Sequence, residues 1–139
     1  MSAGPYDVFL SYRQREPDRT WVRKTLLPRL EAAGLRVCID YRDFRLGAPL
    51  ITEMERGVVE SRITLAVFTP AYLESGFVEL ENVMADYLSA EKRELRLIVL
   101  LRDQAKAPPL RFRARLMLDM SDDAEFDTAI ARLAEALAG

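Results

Sequence analysis

The sequence contains no histidine and only one cysteine, and both shortages exclude kinds of site. Without an imidazole there is no Ser–His–Asp or Cys–His nucleophilic pair, no histidine zinc site and no histidine proton shuttle. Cys38 alone can form neither an internal disulfide nor a cysteine metal cluster, and we predict no metal site. Because a lone free thiol is typical of a reducing compartment, we expect a cytoplasmic protein.

Long hydrophobic runs and a surplus of one charge are missing as well. The longest apolar run, Leu97–Leu101, is far shorter than the roughly 20 residues that cross a bilayer, and Met1–Pro5 does not resemble a signal peptide. The 20 Lys and Arg residues nearly balance 22 Asp and Glu residues, giving a net charge of −2, which argues against nucleic-acid binding. We therefore expect neither a membrane nor a nucleic acid as partner.

What the sequence does contain is an alternation of strand and helix patterns. Runs of β-formers and continuous apolar runs predict five strands: Tyr6–Tyr12, Leu35–Asp40, Ile63–Thr69, Leu95–Leu101 and Leu116–Met120. Apolar residues at three- and four-residue steps predict helices from Pro17 to Gly34, over Leu50–Ser61, over Ala71–Ala90 and from Ser121 onward. The segments Tyr41–Pro49 and Arg102–Arg113 read as loops.

Two helices carry more detailed expectations. Pro28 lies inside the first helix, which therefore either kinks there or ends and restarts. In the second helix, Ile51, Met54 and Val58 should face the core. In the last helix the residues expected to face inward are Phe126, Ile130, Leu133 and Leu137.

This alternation predicts an α/β fold in one domain spanning residues 1–139. If the chain continues past Gly139, this domain would be the N-terminal effector part of a longer protein. Strands alternating with helices imply a parallel sheet with right-handed crossovers and helices on both faces. Because such open sheets bind ligands beyond the carboxyl ends of their strands, functional residues should lie in the loops that follow the strands.

Three groups of residues stand out at these strand ends. Ser11, Tyr12 and Arg13 follow the first strand, and Asp40 closes the second, ahead of a segment Asp43–Gly47. Phe77 and Glu81 lie four residues apart on the helix after the central strand, so their side chains share one helical face. Taken singly, each of these residue types more often has a structural role, as a turn, a cap, a core residue or a solvated face.

These segments resemble the motifs of the Toll/interleukin-1 receptor (TIR) domain family. Asp7–Arg13 is similar to the first motif, and Leu35–Asp40 with Asp43–Gly47 is similar to the second motif and its BB loop. Thr69–Ser75 with Phe77 and Glu81 is similar to the segment that usually carries Trp-x-x-x-Glu. The resemblance implies a flavodoxin-like three-layer sandwich whose five parallel strands have the order 2-1-3-4-5.

The resemblance also implies a reaction, because many bacterial members cleave NAD+ at the nicotinamide–ribose bond in defence or cell-death signalling. Glu81 takes the position of their required glutamate. Glu79 lies two residues earlier, so on a helix its side chain would point about 200° away from that of Glu81, and only one of the two can face the cleft. NAD+ would be the substrate, with no separate cofactor. The substrate-binding residues that the resemblance implies are Phe9, Ser11, Tyr12, Arg13, Asp40, Phe44, Gly47 and Phe77. Phe77 stands where the family usually has Trp. A phenylalanine keeps an apolar face but lacks the indole N–H.

A third implication is self-association. Enzymatic family members are typically activated when the BB loop of one subunit reaches the next. Here the residues for that contact would be Arg42, Asp43, Phe44, Arg45 and Leu46, a mixed-charge rim around an apolar tip. Other family members are adaptors without activity, so a TIR–TIR interaction module, as an adaptor or in interference with host signalling, is the alternative. Hydrolysis to ADP-ribose and cyclisation break the same bond, and the sequence does not separate them.

Two other doubly wound classes do not fit the strand ends. A phosphoacceptor receiver domain needs an acidic pair after the first strand and an aspartate ending the central one, but Ser11–Arg13 and Phe68–Thr69 stand there. A dinucleotide-binding oxidoreductase needs a Gly-rich turn after the first strand, and Arg13, Gln14 and Arg15 take its place.

Overall fold

In a computed structural model of the chain, the structure describes residues 5–69, 72, 97–102, 118–120 and 123–138. The strands within these residues are β1 (Tyr6–Ser11), β2 (Val37–Cys38), β3 (Ser61–Phe68), β4 (Leu97–Leu101) and β5 (Leu118–Asp119). The described helical segments are α1 (Asp18–Trp21), a π segment (Val22–Leu26), α2 (Leu27–Ala32), α3 (Asp40–Asp43), α4 (Leu50–Glu60), a 3₁₀ turn (Asp123–Glu125) and α5 (Phe126–Ala138).

Several expectations fall on residues outside this description. Phe77, Glu79 and Glu81 are among them, as is the predicted helix Ala71–Ala90 except for Tyr72. The predicted cap Ser121 and most of the predicted loop Arg102–Arg113 lie outside it as well. The roles given to these residues therefore stay predictions.

The strands form one parallel sheet in the order β2-β1-β3-β4-β5. On β1, Val8 lies between Val37 of β2 and Ile63 of β3, and Ala66 of β3 lies beside Val99 of β4. Because side chains alternate across a strand, the core divides between the two faces of the sheet. The expected flavodoxin-like sandwich with strand order 2-1-3-4-5 is confirmed.

One face of the sheet packs against the helices at the two ends of the chain. Val8, Leu10 and Leu65 point to this side, against α1, the π segment, α2 and α5. The four residues of α5 expected to face inward are all buried: Phe126, Ile130, Leu133 and Leu137. None of the helices within the described residues is long and apolar enough to cross a membrane.

The opposite face packs against α4, with Phe9, Ala66 and Val99 in its core. Met54 and Val58 of α4 are buried there as expected. The expectation for Ile51 is wrong, since 43% of it is exposed. The buried side of α4 instead includes two residues that a hydrophobic pattern does not mark: Glu53 and Gly57.

The helix that contains Pro28 neither breaks nor restarts, because the turn before the proline widens into the π segment. The amide of Leu27 donates to the carbonyl of Val22, five residues back, rather than to the carbonyl four back. Pro28, which has no N–H to give, then lies within the first turn of α2.

The glycine expected to end this helix does so by adopting a positive φ. Gly34 has φ +89°, its amide donates to the carbonyl of Glu31, and the amide of Leu35 donates to the carbonyl of Leu30. These bonds form a Schellman motif, with Leu30 and Leu35 both buried beside it.

The expected loop Tyr41–Pro49 begins with a helical turn, which shortens β2. Asp40 opens α3 rather than closing the strand. The Asp43 carboxylate accepts the amide of Ile39 at 2.8 Å, and the amide of Phe44 donates to the carbonyl of Asp40. This local capping outweighs the extended tendency of the sequence Leu35–Asp40.

Candidate functional site

A cleft of about 200 Å³ opens at the carboxyl end of β1. Six of the residues that the sequence marked for substrate binding line it: Phe9, Ser11, Tyr12, Arg13, Asp40 and Phe44. The other described residues around it are Leu10, Gln14, Arg15, Leu50 and Met54. Gly47 is not among the lining residues. Its φ of +83° shows instead that a glycine is needed for the backbone of the BB loop.

The buried hydroxyl of Tyr12 joins three elements at this cleft. It donates to Asp40 Oδ1 at 2.7 Å and accepts from Arg23 Nε at 2.9 Å. Arg23 Nη2 also reaches Gln14 Oε1, and its guanidinium lies 4.3 Å from the centre of the Tyr41 ring. Burial and the bond to Asp40 raise the pKa of Tyr12, so its hydroxyl stays protonated at any physiological pH.

Arg23 is a site residue that the sequence reasoning missed. It lies on the π segment, 11 residues beyond Tyr12. The hydrophobic pattern of that helix predicts only which residues face the core. The bond between Tyr12 and Asp40 spans 28 residues and depends on how β1 and β2 pair. No short-range motif could reveal either contact.

A second polar network includes Ser11, which lines the cleft. Ser11 Oγ and the Tyr72 hydroxyl share a hydrogen bond of 2.7 Å, and both side chains are buried. Thr69 Oγ1 donates to Asp18 Oδ2 at 2.5 Å and accepts the amide of Tyr72 at 3.1 Å. These bonds tie the end of β3 to the start of α1 and to the end of β1.

Arg13 lines the cleft and carries a buried side-chain donor. Its Nε is buried and has no hydrogen-bond partner among the residues that the structure describes. A buried donor without a partner is costly, whereas a guanidinium beside an open cleft can reach an anionic or oxygen-rich ligand.

The aromatic wall of the cleft is built from Phe9 and Phe44. Their ring centres are 5.9 Å apart with an interplanar angle of 29°. Phe9 in turn lies against Gly57 of α4, where a Cβ atom would stand only 2.8 Å from the ring. The wall therefore depends on close contact between β1 and α4.

The charged residues expected to mediate self-association are largely engaged within the chain. Arg42 pairs with Glu31 and Asp43 and donates to the carbonyl of Val37 at 2.8 Å. Arg45 pairs with Glu53 at 2.8 Å, although 65% of the arginine side chain is exposed. Leu46 is the fully exposed member, at the tip of the BB loop.

Comparison with known proteins agrees with this fold. A family model described as TIR domain matches residues 8–134. The chain belongs to the TIR domain family. Among solved structures, the TIR domain of the Toll-related receptor TRR-2 from Hydra magnipapillata superposes with a TM-score of 0.80 at 22% identity, covering 96% of this chain and 99% of that one.

Curated relatives of this TIR domain include Toll-like receptors. Toll-like receptor 13 of Mus musculus is 29% identical over 102 residues, which are 70% of this chain and 10% of the receptor. Toll-like receptor 2 type-2 of Gallus gallus is 30% identical over 111 residues, 77% of this chain and 14% of the receptor. The TIR domain thus spans a small fraction of the length of these receptors.

Proposed function

We propose that this TIR domain is an NAD+ glycohydrolase or cyclase that acts in the cytoplasm, in bacterial defence or cell-death signalling. The observation that supports it is the convergence of Phe9, Ser11, Tyr12, Arg13, Asp40 and Phe44 on one cleft at the carboxyl end of β1. An open parallel sheet offers its binding site at this edge. Glu81 is the proposed catalytic carboxylate, on the strength of its position four residues after Phe77.

The chemistry requires little beyond positioned charge. When the bond between C1′ of the ribose and N1 of nicotinamide breaks, both bonding electrons go to the pyridinium nitrogen, which leaves neutral without being protonated. The ribose becomes oxocarbenium-like, and a carboxylate such as Glu81 close to the sugar stabilises that charge. Neither an imidazole nor a metal is needed for this step.

The described residues would bind the substrate around that step. The Asp40 carboxylate, held by the Tyr12 hydroxyl, can accept hydrogen bonds from sugar hydroxyls. Phe44 and Phe9 give an apolar wall for the nicotinamide ring, and Arg13 adds a positive charge to the lining of the cleft. In hydrolysis, water then bonds to C1′ and releases a proton. In cyclisation, a nitrogen of the same molecule takes its place.

The test is release of nicotinamide from NAD+ by the purified chain, followed by chromatography. We expect NAD+ to be consumed in step with nicotinamide formation. A chain that leaves NAD+ intact over a wide range of protein concentration, including in a crowding agent, would refute the proposed activity.

A second candidate is a non-enzymatic TIR–TIR interaction module, and two observations favour it. The curated relatives are Toll-like receptors, and Leu46 is fully exposed at the tip of the BB loop. The same loop contact would activate the enzyme if both roles hold, so that nicotinamide release rises more steeply than linearly with protein concentration. Self-association in sedimentation velocity together with no NAD+ consumption would favour the module.

A further inference from the structure

A buried carboxylate on α4 holds the BB loop from beneath. The side chain of Glu53 is only 1% exposed. It accepts five hydrogen bonds, four from Arg45 and one from Arg56. Burying a carboxylate away from water is costly unless it is paired, and both guanidinium groups supply that pairing.

The bonds of this cluster fix the backbone on both sides of Phe44. The amide of Arg45, just after Phe44, donates to Glu53 Oε1 at 2.7 Å. The carbonyl of Asp43, just before Phe44, accepts from Arg56 Nη2 at 2.7 Å. Arg56 Nη2 also donates to Glu53 Oε1 at 2.9 Å, so one ion pair on α4 holds both neighbouring peptide groups.

Phe44 is the point at which this anchoring reaches the cleft. Its ring packs against Phe9 in the aromatic wall, whereas Leu46, two residues later, is fully exposed on the outside of the loop. Arg45, which Glu53 holds, therefore lies between a residue that lines the cleft and a residue that faces outward.

We propose that Glu53 is a positioning residue whose ion pairs with Arg45 and Arg56 set the place of Phe44 in the cleft wall. Loss of the Glu53 carboxylate frees the backbone of the BB loop and moves Phe44 away from Phe9. The expected effect on NAD+ cleavage rests on the proposed function, but the expected effect on the backbone of the BB loop does not.

The direct test is amide hydrogen exchange of the free protein, without NAD+. In Glu53→Ala we expect the Arg45 amide to exchange more than about tenfold faster than in the wild type, because its charged acceptor is gone. Glu53→Gln keeps an acceptor oxygen and should give an intermediate rate. Glu55→Gln is the matched control, because it removes an equal charge from an exposed position on the same helix.

Amides of β1 and β3 report whether each variant is folded. Slow exchange there, combined with an unchanged Arg45 amide in Glu53→Ala, would overturn the proposal. If Glu53→Ala does not fold, Arg45→Ala replaces it. This surface change removes the three guanidinium bonds to Glu53, so the carboxylate that accepts the amide of residue 45 is held less firmly. Faster exchange of the amide of residue 45 is again expected, whereas unchanged exchange contradicts the proposal.

Kinetics with NAD+ add a readout that a loss of stability alone would not give. We expect Glu53→Gln to raise KM several-fold with a smaller change in kcat, because the cleft wall moves while the proposed catalytic carboxylate is untouched. A wild type that does not cleave NAD+ would refute the proposed function, and the exchange experiment would still decide the role of Glu53.

Discussion

At the scale of single residues, the hydroxyl of Tyr12 is held by two partners in the cleft. It lies between Asp40 and Arg23, in a side chain that is only 6% exposed. Removing it takes away the hydrogen bond to Asp40 Oδ1 and the acceptor of Arg23 Nε, while the bond from Arg23 Nη2 to Gln14 stays. The hydroxyl thus orients the acidic group proposed to face the sugar.

Tyr12→Phe tests this arrangement. We expect the free energy of unfolding to fall by about 1–2 kcal/mol, because two hydrogen bonds are lost at a buried position. KM for NAD+ should rise because Asp40 is no longer held. Urea denaturation and steady-state kinetics measure the two effects.

Tyr41→Phe is the control for that substitution. The Tyr41 ring also lies beside Arg23, but the residue is 53% exposed and keeps its ring when the hydroxyl is removed. We expect a change within about 0.5 kcal/mol. Equal losses in the two variants would show that the Tyr12 hydroxyl has no special role.

At the scale of elements, the sequence pattern predicted most of the fold. Apolar runs and glycines marked the strands, the end of α2 at Gly34 and the buried face of α5, because these features depend on local conformation and periodicity. The pattern failed at Ile51, since α4 is oriented so that its buried side includes Glu53 and Gly57. It also missed Arg23, because contacts between distant side chains follow from the packing of elements.

The contact between α4 and β1 gives the element-scale prediction. In Gly57→Ala the added methyl group would stand 2.8 Å from the Phe9 ring, which must move and carry Phe44 with it. Overpacking costs about 1–3 kcal/mol, whereas alanine improves helix propensity by about 1 kcal/mol, so we expect a modest net loss of stability. We also expect a higher KM for NAD+.

Gly34→Ala separates steric crowding at the cleft from a general loss of stability. A Cβ at Gly34 meets nothing within 4 Å, but its φ of +89° strains any other residue. This variant should lose about 1–2 kcal/mol in thermal unfolding and leave KM unchanged. A raised KM in both variants, or in neither, would contradict the assigned role of the Phe9–Phe44 wall.

At the scale of the whole molecule, the doubly wound sheet determines where function can lie. It brings residues from the ends of β1 and β2 and from the BB loop to one edge. The position of the cleft could therefore be predicted from the order of elements. The ion pairs that support the cleft could not be predicted, because a carboxylate on an amphipathic helix is ordinarily expected to be exposed to solvent.

The buried Glu53 carboxylate also makes the stability of the whole molecule depend on pH. Hydrogen bonds from Arg45, followed in size of effect by those from Arg56, lower the pKa of Glu53 to about 2, compared with its ordinary value of 4.5. Below pH 4.5 the Glu53 carboxylate of the unfolded chain takes up a proton more readily than that of the folded chain. The stabilisation is thus fully present above pH 4.5 and is lost as the pH falls through about 2.

Chemical denaturation of the wild type and Glu53→Gln across this pH range checks that dependence. We expect the wild type to be more stable at pH 6 and the difference to shrink steadily toward pH 2. A difference that stays constant over this range would show that the carboxylate is not preferentially stabilised in its charged form.

The measurement closest to the central claim is nicotinamide release from NAD+ by three proteins at one concentration: the wild type, Glu81→Gln and Glu79→Gln. We expect Glu81→Gln to lose at least about 100-fold in rate, as when a group that stabilises transition-state charge is removed, and Glu79→Gln to stay within about twofold. Equal nicotinamide release by the wild type and Glu81→Gln would contradict the account.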